Sequence, residues 1–161
     1  ILIFVTLGTQ DKSFERLLEL LEKEIKKKKI TQEVVVQAGC TKFSSQYMQV
    51  LDYVSEDQFE KYIEDCSFLI THGGVGSIFT GLKHHKKILV MPRLAKYKEH
   101  HNDHQLEITE EFTKEGYILS FQDEKSFEKA LKELPRFSPR QYKSNTPNMI
   151  HLIENFIEGR K

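Results

Sequence analysis

The apolar residues of this chain alternate between short continuous runs and longer stretches in which they recur every three or four positions. Residues 1–7, 33–38, 47–53, 67–71, 87–91 and 117–120 are of the first kind and read as strands. Between the first two, Phe14, Leu17, Leu18, Leu21 and Ile25 share one face of a predicted helix. That helix ends in Lys26, Lys27, Lys28 and Lys29, where positive charge suits the negative end of the helix dipole. Further helices are predicted over 57–65, with Phe59, Tyr62 and Ile63 as an apolar edge, and over 77–84, 103–114 and 124–134. Pro135, Pro139 and Pro147 break up the tail before a final amphipathic segment whose apolar side carries Ile150, Ile153, Phe156 and Ile157. Continuous apolar strands alternating with helices predict an α/β fold: a doubly wound, mostly parallel, Rossmann-like sheet covered on both faces. Ligands of such sheets lie beyond the carboxyl ends of the strands. Three segments follow strands directly and are expected to converge there: 8–11, 72–77 and 92–105.

Composition narrows the picture in three ways. With 161 residues, 39% hydrophobic and 30% charged, residues 1–161 are expected to form one domain with a substantial core, and 147–161 to form a docking or packing helix. Lys plus Arg and Asp plus Glu both number 24, so no net field draws the chain to nucleic acid, and no nucleic-acid partner is expected. Cys40 and Cys66 are too few for a disulfide framework and lack metal-ligand spacing, which makes the cytoplasm the expected compartment. The apolar run that precedes Gly8 is too short for a bilayer span or the core of a signal peptide, so the chain is not expected to cross a membrane by itself.

The richest chemistry lies in Ile70-Thr71-His72-Gly73-Gly74-Val75-Gly76-Ser77, where an apolar strand empties into a glycine-rich turn and a helix. Glycines let the backbone approach a ligand, and the free N–H groups at a helix start attract anions, so the turn suits a diphosphate. Ordinary strand-to-helix turns also use glycine, and the motif alone leaves both readings open. After the first strand, Gly8-Thr9-Gln10-Asp11-Lys12-Ser13 holds one glycine and no G-x-G-x-x-G, which disfavours a dinucleotide-binding domain. The chain has no G-x-x-x-x-G-K-[ST], and neither Ser13 nor Ser77 sits in G-x-S-x-G.

A second dense stretch is Glu99-His100-His101-Asn102-Asp103-His104-Gln105. His100 and His104 are four apart, as two ligands on one helix face would be. A helix starting near Asn102 leaves His100 outside it, however, so no metal site is assigned. The stretch reads instead as a polar helix N-terminus, capped by Asn102 or Asp103, with His104 and Gln105 aimed at ligand oxygens.

Val5-Thr6-Leu7-Gly8-Thr9-Gln10, then Thr71 to Ser77, then Met91-Pro92-Arg93, Glu99-His100 and Asn102-Asp103-His104-Gln105 occur in one order. In that order they resemble the soluble subunit of the split glycosyltransferases that build bacterial capsule and exopolysaccharide. That subunit is similar to the C-terminal, nucleotide-sugar-binding half of a GT-B enzyme of the family 28 type. It is also similar to the catalytic subunit of the eukaryotic two-part dolichol-linked N-acetylglucosaminyltransferase and, more distantly, to the peptidoglycan lipid II glycosyltransferase. The resemblance covers residues 1 to about 120.

The resemblance implies that His72, Gly73, Gly74, Gly76 and Ser77 hold a UDP diphosphate, with Gly8 and Thr9 as the opposing wall. It places Asn102, His104 and Gln105 against the donor sugar, Arg93 and Glu99 at the loop leading to it, and uracil near Tyr53-Val54. His104 and Glu99 are the catalytic candidates. Where relatives hold the ribose with a glutamate, this chain has Thr80, whose single hydroxyl cannot accept two hydrogen bonds as a carboxylate does. The implied activity is inverting, metal-independent transfer of a hexose, galactose favoured, from a UDP-sugar to a lipid-linked acceptor, with no cofactor. One Rossmann-like unit lacks the other GT-B lobe, so a membrane-anchored partner carrying the N-terminal half is expected, recruiting this chain to the inner face of the membrane. Two other readings stay open: a nucleotide-binding accessory subunit without turnover, and a sugar-nucleotide epimerase.

Overall fold

The computed structural model describes residues 2–141 and Glu154. Six strands, β1 (Leu2–Thr6), β2 (Glu33–Gln37), β3 (Gln49–Leu51), β4 (Cys66–His72), β5 (Ile88–Met91) and β6 (Leu119–Ser120), form one sheet. They lie in the order β3-β2-β1-β4-β5-β6 and every neighbouring pair is parallel. The helices are α1 (Glu15–Lys26), α2 (Glu56–Asp65), α3 (Val75–Lys83), α4 (His104–Lys114) and α5 (Glu124–Glu133), with two short 3-10 turns at Ala95–Tyr97 and Leu134–Arg136. The expected doubly wound sheet is therefore present. Its boundaries differ from the sequence reading by a few residues; α3, for example, starts at Val75, inside the glycine-rich turn. Apart from Glu154, the proposed docking helix at 147–161 lies outside the described residues.

Alternation along the strands builds a core on each face. Ile3, Val5, Val34, Val36, Phe68, Ile70, Leu89 and Met91 point to one side, where they meet Leu17, Leu18 and Leu21 of α1 and Phe127 and Ala130 of α5. Phe4, Val35, Leu69, Ile88 and Val90 point to the other and meet Ile63 of α2, Ile78 and Leu82 of α3, and Ile108 and Phe112 of α4. Two helix starts are fixed by side chains: Ser55 Oγ accepts from Gln58 N at 3.1 Å, and Asp123 and Ser126 form a reciprocal capping box on α5. α3 is different, because Gly74 occupies the cap position and no side chain takes the first N–H groups of the helix. Gly81 lets α3 sit directly on the sheet; a Cβ there would fall 2.6 Å from Ile88 Cδ1 and 2.9 Å from Leu69 Cδ2.

The strand order reverses between β1 and β4, whose carboxyl ends are side by side. Chains leaving those two ends diverge to opposite faces of the sheet and open a crevice. No helix among the described residues is long and apolar enough to cross a membrane.

Candidate functional site

A cleft of about 1010 Å³ occupies that crevice. Its floor is formed by Thr6, Gln37 and His72 at the strand ends, and its walls by Gly8–Gln10 after β1, Tyr53 and Val54 after β3, and Gly73, Gly74, Gly76, Ser77 and Thr80 at the start of α3. α2 contributes Glu56, Asp57, Phe59 and Glu60; His100, His101, Asn102, His104, Gln105 and Ile108 close the far side. The three segments expected to converge do so. Arg93 and Glu99 are absent from the lining, unlike the other predicted site residues.

At the centre His72, 5% exposed, lies between two glycines. A Cβ on Gly8 would fall 2.4 Å from His72 Nε2, and one on Gly74 2.4 Å from Cε1 and 2.6 Å from Nε2. Gly8 also has φ +83, the left-handed region that L side chains adopt only with strain. The third neighbour is Gln105, 3% exposed, at the first turn of α4. Its Oε1 accepts from Gly73 N at 3.0 Å and from Arg93 N at 3.1 Å, and its Nε2 lies 3.0 Å from His72 Nδ1. Gly73 is required by the same contact, since a Cβ there would meet Gln105 O and Thr109 Oγ1 at 2.8 Å.

Arg93 and Glu99 serve beneath the site rather than in it. Arg93 is 1% exposed; its guanidinium donates to Leu7 O at 2.5 Å, Lys12 O at 2.7 Å and Glu99 O at 3.0 Å, and lies 5.0 Å over the Phe14 ring. The Glu99 carboxylate accepts both Arg16 Nε and Nη2 at 2.9 Å, and Leu94 N at 3.1 Å. Both terminal nitrogens of Arg93 and both carboxylate oxygens of Glu99 are thus engaged by protein partners, while Arg93 Nε is buried without one among the described residues. Together they tie the loop after β1, which carries the Gly8 wall, to the loop after β5, which carries the histidines. The structure does not bring these two expected site residues into the cleft lining.

Residues 2–158 match the model of the glycosyltransferase family 28 C-terminal domain. The chain belongs to that family. Over 121 residues it is 28% identical to the UDP-N-acetylglucosamine transferase subunit ALG13 of Candida albicans; the alignment takes in 75% of this chain and 37% of that protein. The solution structure of an ALG13 superposes with a TM-score of 0.62 at 18% identity, covering 93% of each chain. The glycosyltransferase of kitacinnamycin gives 0.63 at 18% identity, with 98% of this chain on 38% of that one. A UDP-GlcNAc 2-epimerase from Methanocaldococcus jannaschii, solved with UDP-GlcNAc and UDP, gives 0.65 at 10% identity over 99% of this chain and 45% of that one. These superpositions establish the fold, the Rossmann-like C-terminal half of a GT-B enzyme.

Within this family 28 domain the start of α4 differs in detail from the expected cap. Asn102 Oδ1 accepts from His104 N at 2.9 Å, whereas Asp103 accepts from Ala95 N at 2.9 Å and so braces the preceding 3-10 turn. α4 begins at His104, which leaves His100 off the helix, as expected, with its ring stacked 4.5 Å from that of His101. Burial and the neighbouring His101, Arg93 and His104 push the His100 imidazole below its usual range. Thr80 Oγ1 donates to Gly76 O at 3.0 Å inside α3. The Val54 N–H donates to Gln37 Oε1 at 3.1 Å, so at that residue the carbonyl is what the backbone offers to a ligand.

Several lining residues escaped the sequence reading. Gln37 and Thr6 each end an apolar strand with a polar side chain at its carboxyl edge, a legible signal in a sheet of this class. Glu56, Asp57 and Glu60 look like an ordinary acidic first turn, and nothing in the sequence says that α2 turns them toward the cleft. Glu60 Oε2 lies 2.5 Å from His84 Nε2, which holds its carboxylate beside the end of α3. Among the described residues the one grouping with metal-ligand proximity is Glu24, Glu124 and Glu128, outside the cleft and around Lys27.

Proposed function

We propose that this chain is the donor-binding half of an inverting, metal-independent transferase that moves a hexose from a UDP-sugar to a lipid-linked saccharide. The observation that carries this reading is the β4–α3 turn. It presents the uncapped N-terminus of α3 to a cleft at the switch point of the sheet, behind glycines that keep the backbone approachable. The donor diphosphate lies along Gly74, Gly76 and Ser77, with Gly8 and Thr9 opposite. Tyr53 and the Val54 carbonyl face the base. Thr80 meets the ribose together with Glu60 of α2, which lines the same cleft. Asn102 and His104 face the sugar, with Gln105 buried behind them against His72. Membership of the family supports transferase chemistry, and the Candida relative's name supports a UDP-sugar donor and a role as a subunit.

In an inverting transfer the acceptor oxygen bonds to the anomeric carbon as the bond from that carbon to UDP breaks; the hydroxyl proton passes to a base. The N–H groups of α3 offset the charge arriving on UDP, the contribution that a metal makes elsewhere. His104, whose Nδ1 lies 3.3 Å from Glu107 Oε2, is the base candidate on this half. The remaining machinery comes from a membrane-anchored partner carrying the N-terminal lobe and presenting the acceptor at the inner face of the membrane, with this chain cytoplasmic. Galactose is the favoured sugar through the likeness to capsule and exopolysaccharide subunits.

A second reading, an accessory subunit that holds nucleotide without turnover, is favoured by one observation: Glu99, a catalytic candidate, is sequestered by Arg16. Calorimetry with UDP, followed by transfer assays on a panel of UDP-sugars with the partner and a lipid-linked acceptor, decides the matter. Transfer that survives EDTA supports the first reading, and UDP binding without transfer from any donor supports the second. Failure to bind UDP refutes both.

A further inference from the structure

The hydrogen bonds of Gln105 fix more than its own orientation. Gly73 N and Arg93 N can only donate, so the atom they share must be the carboxamide oxygen. The group facing His72 is then the amide NH2, which can only donate, and His72 Nδ1 at 3.0 Å must accept. An imidazole that accepts at Nδ1 carries its proton on Nε2 and is neutral. The edge bearing Nε2 lies against Gly8 and Gly74, two glycines of the cleft wall.

We infer that Gln105 is a positioning residue that holds His72 as the neutral Nε2–H tautomer, so that His72 meets the donor as a hydrogen-bond donor and is excluded from acting as a base through Nδ1. This deepens the reading of the cleft as a UDP-sugar site and rests on it. Three parts of the fold are joined through one amide: the turn after β4 through Gly73, the end of β5 through Arg93, and α4 through Gln105 itself. The arrangement sets a chemical state as well as a shape, because a glutamate here preserves both backbone bonds and reverses the third. A carboxylate can accept from Gly73 N and Arg93 N, but toward His72 it offers an acceptor and draws a proton onto Nδ1.

The test uses the full chain labelled with ¹⁵N, with the His72 ring resonances assigned by their disappearance in His72→Ala. In long-range ¹H–¹⁵N spectra at neutral pH, wild-type His72 should show a protonated Nε2 and an unprotonated Nδ1. A protonated Nδ1 in the wild type overturns the inference without recourse to any variant. Gln105→Glu should move the proton from Nε2 to Nδ1 while the amide spectrum stays folded, and, with Nε2 no longer a donor, should weaken UDP binding by about tenfold or more, the scale of a lost bond to a charged group. In a His72→Ala background the same substitution should change UDP affinity by less than about threefold, since sites acting through one another are not additive. An equal loss in that background means that Gln105 acts directly on the ligand or only on the fold, and the positioning role fails. UDP that does not bind wild type removes the donor-facing role by refuting the cleft reading, whereas the tautomer measurement stands independently.

Discussion

Two glycines confine one ring at the centre of the site, and a set of double-mutant cycles separates the two physical reasons for them. Gly8→Ala meets both obstacles: φ +83, costing about 1–2 kcal/mol for a side chain in the left-handed region, and a Cβ 2.4 Å from His72 Nε2. Overpacking of that kind costs about 1–3 kcal/mol. Gly74→Ala meets only the second, because Gly74 has φ −79 and ψ 130, ordinary extended backbone. The expected losses are thus about 2–5 kcal/mol for Gly8→Ala and about 1–3 kcal/mol for Gly74→Ala. Truncating the ring in His72→Ala removes the obstacle common to both. In that background Gly74→Ala should be close to neutral, and Gly8→Ala should retain only its backbone strain, about 1–2 kcal/mol. Urea unfolding with linear extrapolation measures all six proteins on one scale. Coupling energies of about 1–3 kcal/mol are expected for each pair; additivity within about 0.5 kcal/mol would refute the claim that these glycines exist to admit His72.

Three further outcomes follow from other parts of the structure. Arg93→Met leaves Leu7 O, Lys12 O and Glu99 O without their donor; at about 1–3 kcal/mol for each orphaned carbonyl it should cost more than about 3 kcal/mol in urea unfolding, and a loss below about 1 kcal/mol would deny the brace. Ser77→Ala should weaken UDP binding by about 1–2 kcal/mol with unfolding unaffected, and unchanged affinity by calorimetry would take Ser77 out of the diphosphate seat. Glu24 is wholly buried, with Lys27 Nζ 3.8 Å away, and burial together with Glu128 raises its carboxyl above the ordinary range. The native state therefore holds this proton more tightly than the unfolded chain, and wild-type stability falls as pH rises from the ordinary glutamate value through the raised one. Glu24→Gln should be more stable than wild type at neutral pH, with the advantage gone below the ordinary value; a constant difference across that range would contradict the assignment.

Periodicity made the sheet legible, and the three cleft segments could be found because ligand sites in this class follow strand ends. What could not be read was which polar residues in those segments turn inward. Arg93 follows directly on an apolar strand and Pro92, a position equally suited to a ligand contact and a brace. The choice was made by Leu7 and Lys12, more than eighty positions earlier, whose carbonyls pass within its reach. Glu99 was claimed in the same way by Arg16. The environment of His72 is likewise assembled from positions 8, 74 and 105, and only Gly74 is near it in sequence. Local pattern predicts where a segment lies; partner choice among buried polar groups is a property of the closed fold.

These placements change the electrostatics of the proposed donor site. With Arg93 and Arg16 committed beneath it, no lysine or arginine stands among the described residues that line the cleft, while Glu56, Asp57 and Glu60 do. Four histidines line it, but His72 is held neutral by Gln105, and burial first, then the neighbouring His101, Arg93 and His104, push His100 away from the charged form. A diphosphate bound here is thus met mainly by oriented backbone N–H groups and hydroxyls, which gain strength as water is excluded. An open cleft excludes water poorly. Closure against a second lobe would strengthen the very contacts this half depends on, so donor affinity and turnover should both rise when the partner is added, and rise together. If the partner leaves UDP affinity unchanged and raises turnover alone, the lobe supplies catalytic groups and contributes nothing to the seat.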